Sequence, residues 1–173
     1  MKKISAHEIS VLGIMLAAAS IVFLIESLIP PLLLIAPYVK MGLANVFVLL
    51  VIIYFGAGKA FLFVLAKNLL TALISWSGFT IVFNLAGSVC AYLIMTGLYA
   101  AVFPKVSLVS ISVAGAILSN IARTSVAVLI MEVPSLYVQL PFVGGVSLAA
   151  GIIVGILTTL CVKHLPERLT NLK

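Results

Sequence analysis

The chain has 173 residues, of which 64% are hydrophobic and 8% charged, and a formal net charge of +6. A soluble domain carries about 25% charged residues, so this chain has too little polar surface to cover a water-soluble globule. The composition excludes an ordinary soluble enzyme, and the positive balance does not point to nucleic acid, because the basic residues cluster where apolar runs end.

The first apolar run covers about residues 9–29. It is longer than the 7–15 residues of a secretory signal core and ends at Pro30-Pro31, so it reads as a retained membrane helix. Proline lacks the backbone donor and clashes with the preceding turn, which stops the helix there. Residues 30–39 are apolar, proline-rich and too short to span, and read as an interfacial loop. A second helix is predicted over 40–55, ended by Gly56-Ala57-Gly58, and a third over 59–76, with Trp76 as an interfacial anchor. The fourth (79–103) ends at Pro104, the fifth (107–132) at Val133-Pro134, and the sixth (138–164) before Pro166. The expected fold is an all-α membrane protein, with six transmembrane helices in one bundle and one domain over 1–173.

An even number of spans puts both termini on one side. That side, with the 2–3 and 4–5 turns, holds Lys2, Lys3, Lys59, Lys105, Lys163, Arg168 and Lys173, against Lys40 alone on the other. The positive-inside rule then places the termini in the cytoplasm and Lys40 outside.

Charged residues inside apolar runs cost about 2.5–3.5 kcal/mol each on insertion scales, and so mark function by default. Here they are Glu26, Lys40, Lys67 and Arg123, joined by Asn45, Asn84, Asn120 and Gln139. With this orientation they fall at mid to outer depth and describe an outward-facing cavity with three cations and one anion. Such a cavity suits a small anionic ligand, with Arg123 as a two-toothed donor and the amides fixing orientation. Each residue has a plainer reading. Lys40 or Lys67 could snorkel, Glu26 could pair with Lys40 or Arg123, and the asparagines could bind helices together. Tyr38, Trp76, Phe79 and Phe83 could wall the pocket or belong to aromatic belts.

Small residues let helices approach closely. Gly13 and Ala17 in the first helix, and Gly151 with Gly155 in the sixth, read as internal packing by default. The first pair reads alternatively as a partner-docking stripe. Cys90 and Cys161 read as small packing residues. There is no nucleotide-binding, zinc-protease or serine-hydrolase motif, no metal-ligand spacing and no aspartate. Polyprenyl synthases use aspartate-rich motifs to hold magnesium and diphosphate, so no catalysis and no cofactor are expected of this chain.

Lys40-Met41-Gly42-Leu43-Ala44-Asn45 resembles the K-x-G-L-A-N motif of the Gx transporter family, also labelled heptaprenyl diphosphate synthase component I. The likeness continues through Glu26 with Ile29-Pro30, the basic residue at Lys67, Leu85-Ala86-Gly87, and Ala114-Gly115-Ala116 leading to Asn120. Where members often read His-Asn-x-x-Gln, this chain has Ser119-Asn120-Ile121-Ala122-Arg123. The family is similar to the S components of energy-coupling factor (ECF) importers. That resemblance implies capture of a vitamin-like or precursor molecule from outside, a bacterial plasma membrane, and docking on a transmembrane subunit with two ATPases. The A-x-x-x-A docking motif of those proteins is matched only partly by Gly13 and Ala17. Some relatives accompany flavin- or quinone-linked proteins, which leaves open a role in isoprenoid or quinone metabolism or in electron transfer.

Overall fold

The computed structural model describes residues 6–28, 40–75 and 78–164. Six α-helices follow one another: α1 Ala6–Leu28, α2 Asn45–Phe55, α3 Ala57–Ser75, α4 Gly78–Val102, α5 Leu108–Met131 and α6 Leu140–His164. A 3-10 turn, Pro134–Gln139, leads into α6. The all-α class and the order of helices are as the sequence predicts. Predictions for residues 29–39, for Trp76, for the Phe79 side chain and for both terminal tails lie outside the described residues.

Five of the helices are long and apolar enough to cross a membrane. The large side chains they turn outward, among them Ile14, Leu69, Leu73, Leu129 and Phe142, form the apolar surface that lipid requires. The chain is a multi-pass membrane protein.

α2 departs from expectation. It has 11 residues and begins at Asn45 rather than Lys40, so it rises only about 16 Å, roughly half the hydrocarbon thickness. The stretch 40–44 is a turn. Gly42 adopts φ +74°, a left-handed conformation that glycine takes without a Cβ penalty. The backbone N–H groups of Asn45 and Val46 donate to the carbonyls of Gly42 and Leu43. α2 is apolar on every side, as a fully enclosed helix should be, and it packs against α1, α3, α4 and α6. Seven of its residues are buried, with Val48, Leu49 and Val51 at 1% exposure or less. Together with Val64, Met95 and Ile111 they form the largest core cluster.

α5 lies between α4 and α6. An added Cβ on Gly151 would sit 2.6 Å from Val113 Cα, and one on Gly155 would sit 2.5 Å from Val109 Cα. The α5–α6 backbones approach so closely that only glycine fits, which makes Gly151-xxx-Gly155 an internal packing motif. Gly13 and Ala17 behave differently. Both are exposed on α1, and Gly13 has nothing within 4 Å of an added Cβ. They do not pack inside the bundle, so the internal reading of that stripe is corrected. Cys90 and Cys161 are half-buried free thiols.

The two ends of the bundle differ. At one end Lys59 at the start of α3 pairs with Glu8 at the start of α1, N to O 2.7 Å. Eighteen residues further along α1, a rise of about 27 Å, Glu26 stands at the other end and faces the polar interior.

Candidate functional site

A small cavity opens between α1, the 40–45 turn, α3, α4 and α5. Helical spacing explains how the polar groups converge. On α3, Lys67, Asn68 and Thr71 fall on one face at i, i+1 and i+4. On α4, Asn84 and Ser88 do so at i and i+4, with Gly87 between them. Arg123 comes from α5, Phe23 and Glu26 from α1, and Lys40, Gly42 and Asn45 from the turn. Of the expected site residues, Glu26, Lys40, Asn45, Lys67, Asn84 and Arg123 line this cavity.

Arg123 is 5% exposed and Lys67 4%. The Arg123 guanidinium occupies the space left by Gly87: a Cβ there would be 2.5 Å from Nε. Arg123 Nη1 donates to Asn120 Oδ1 at 3.1 Å, while its Nε is buried with no hydrogen-bond partner. Among the described residues no hydrogen-bond partner meets the Lys67 ammonium or the side-chain amides of Asn45 and Asn84. Buried donors are normally satisfied, so the unpartnered Arg123 Nε is informative.

Glu26 makes no ion pair within 4.0 Å with Lys40 or Arg123, one of the alternatives open to it. Among the described residues, Lys59–Glu8 is the ion pair within 4.0 Å. Glu26 Oε1 instead accepts from the backbone N–H of Gly42 at 2.5 Å, which holds the turn that starts α2. Lys40 is also turned toward α1. Its Nζ lies 4.1 Å from the Phe23 ring centroid and donates to Ser27 Oγ at 3.5 Å. A cation over an aromatic face is attracted by the ring quadrupole, so part of the Lys40 charge is met within the protein.

Asn120 lies behind the cavity wall. Its Nδ2 donates to Ser147 Oγ at 2.8 Å and to the Lys40 carbonyl at 3.2 Å. With Oδ1 accepting from Arg123, its amide is fully engaged, and it ties α5 to α6, to the turn and to the guanidinium. Asn68 closes a second network: Nδ2 donates to the Val64 carbonyl at 2.8 Å, and Oδ1 accepts from Ser88 Oγ at 3.2 Å. Gln139 belongs to the 3-10 turn and Phe83 packs with Ala127 and Val143; neither is among the cavity-lining residues.

Several residues that shape the site had no sequence signal. Ser88 and Ser147 look like the many serines of membrane helices. Phe23 sits among apolar neighbours of equal standing. Gly42 does carry a signal, a glycine between a lysine and the start of an apolar run, which marks a left-handed turn.

The chain matches the model of one protein family, described as Heptaprenyl diphosphate synthase component I, over residues 15–163. No curated protein matches it. The match takes in every cavity-lining residue and most of all six helices, and the chain belongs to the Heptaprenyl diphosphate synthase component I family.

Proposed function

We propose that this protein is a membrane subunit that captures a small anion, in the manner of an importer's substrate-binding component. One observation carries the reading: Arg123 and Lys67, both almost fully buried, line one cavity and make no ion pair within 4.0 Å among the described residues. Unpaired charges inside a bundle are costly, and a bound anion offsets that cost. Arg123 and Lys67 are the charge-neutralising contacts, Asn45 and Asn84 supply neutral hydrogen bonds, and Lys40 guards the rim. Asn120 and Glu26 position the others. The protein carries out no catalysis in this reading; partner ATPases supply the energy. The exposed Gly13 and Ala17 face of α1 is where a transmembrane partner would sit. The termini are cytoplasmic and the cavity opens outward from a bacterial plasma membrane.

A second reading makes the protein a membrane component of isoprenoid or quinone metabolism that holds a prenyl diphosphate or quinol head group in the same cavity. The family description favours it. Native mass spectrometry of protein purified gently from its own membrane separates the two. Co-purifying ATPases or a water-soluble anion support the importer reading. A bound prenyl or quinone lipid without ATPases overturns it in favour of the second.

A further inference from the structure

We infer that the cavity is matched to a compact dianion of the phosphate type, such as a phosphate monoester, rather than to a carboxylate. The inference deepens the anion-capture reading and rests on it.

The first argument is charge. Lys40, Lys67 and Arg123 line the cavity against the single carboxylate of Glu26, which leaves a formal excess of two positive charges. A neutral ligand leaves both uncompensated and a monocarboxylate leaves one. A ligand carrying two negative charges brings the cavity to neutrality. α2 adds to the same sign: it begins at the cavity, with Ala44 and Asn45 in the wall, and the N-terminal end of a helix carries partial positive charge.

The second argument is the kind of hydrogen bond on offer. The cavity lining includes the Lys40 and Lys67 ammoniums and the Arg123 guanidinium, which can only donate, and the amides of Asn45 and Asn84, which can donate and accept. Two of the lining acceptors are committed within the protein, Glu26 Oε1 to Gly42 and Asn68 Oδ1 to Ser88, while the second Glu26 oxygen and the Asn45 and Asn84 carbonyl oxygens stand beside a larger set of donors from Lys40, Lys67 and Arg123. A site richer in donors than in acceptors suits a group with many acceptor oxygens. A phosphate group has three or four such oxygens around one atom, whereas a carboxylate has two.

The third argument is compactness. The donors reach one small cavity from three sides, α3, α4 and α5. A dicarboxylate separates its charges along a chain and needs cation clusters at two places. Here Arg123 and Lys67 approach one place, with Gly87 leaving room for the guanidinium.

The test uses the full chain purified in detergent, with binding read by calorimetry and by the shift in unfolding temperature. The probes are inorganic phosphate, dodecyl phosphate, succinate and acetate, in a constant chloride background. Phosphate or dodecyl phosphate should bind at least tenfold more tightly than acetate or succinate, the worth of about one charge-assisted hydrogen bond. A phosphoryl group gains its second charge near pH 6, so dodecyl phosphate should bind more weakly as pH falls through about 6. Binding of both phosphate probes indicates a soluble ligand, and binding of dodecyl phosphate alone indicates a lipid head group; either supports the dianion. Acetate or succinate binding as tightly as the phosphates overturns the dianion and leaves anion capture standing. No binding of any probe overturns both. The comparison is made on the unaltered protein, so it does not depend on a variant folding.

Discussion

Gly87 on α4 and Arg123 on α5 share one space: a methyl group on Gly87 would stand 2.5 Å from Arg123 Nε and 3.0 Å from its Cγ and Cζ. Real Cβ atoms are not found that close, so Gly87→Ala must push the guanidinium out of place. The blocking atoms belong to a flexible side chain rather than to backbone, so the helices need not separate. The expected result is a folded protein with a modest loss of stability, about 1 kcal/mol at the low end of overpacking costs, and a large loss of anion affinity. Binding measured beside thermal unfolding checks this. Unchanged affinity would show that the position of Arg123 does not matter to the ligand.

The corresponding change at the α5–α6 contact should behave in the opposite way. At Gly155 the nearest atom to an added Cβ is Val109 Cα, at 2.5 Å, and backbone cannot rotate aside. Gly155→Ala should drive α5 and α6 apart and cost about 1–3 kcal/mol, seen as a lower unfolding temperature in detergent. An unfolding temperature equal to that of the parent would mean that the helices do not rely on this close approach.

These two glycines also show what could be read from the chain. Gly151-xxx-Gly155 is a recognisable packing signal, and the structure places it inside. Gly13 and Ala17 look similar in sequence and lie on the outside, because spacing alone does not say which way a uniformly apolar helix faces. The six helices were legible because charge is so scarce that each apolar run ends visibly at Pro, Gly or Lys. The cavity was legible because charged residues in such runs are conspicuous. Partners were not. Glu26, for which a cation or the ligand was open as partner, meets a backbone N–H, and Asn120 bonds Arg123, Ser147 and the Lys40 carbonyl. A periodic pattern places a residue on a face; it does not carry the rotations of five helices about their axes. The start of α2 was misplaced for a related reason. Lys40 to Ala44 have no helix breaker except Gly42, and the left-handed turn there depends on Glu26, sixteen residues away.

Asn120 should therefore act as a positioning residue. Asn120→Ala removes an acceptor from Arg123 and donors from Ser147 and the Lys40 carbonyl. Hydrogen bonds in membrane bundles are worth about 0.6 kcal/mol on average, so three lost together should cost about 2 kcal/mol of stability. Anion affinity should also fall, and excess ligand should restore much of the stability, since it would re-form the contacts of Arg123. If Asn120 instead touched the ligand directly, affinity would fall while stability in the empty state stayed at the parental value.

Glu26 gives the prediction whose sign is hardest to obtain by accident. If its carboxylate contacted the ligand or completed an ion pair, its removal would weaken binding. The structure commits its Oε1 to the Gly42 N–H, and its negative charge acts on Lys67 and Arg123 at a distance. Glu26→Gln keeps an oxygen that can accept from Gly42, so the turn before α2 should survive. It removes the one negative charge that competes with an incoming anion. At an effective dielectric of about 20, a like charge several ångströms away costs an anion roughly 1–3 kcal/mol, so Glu26→Gln should tighten phosphate binding by about tenfold. Glu26→Ala loses the acceptor as well and should loosen the turn, lowering stability even if it retains the gain in charge. Calorimetric titration of both variants beside the parent decides the matter. Weaker binding by a well-folded Glu26→Gln protein would make Glu26 a ligand contact and overturn its assignment as the brace of the α2 turn.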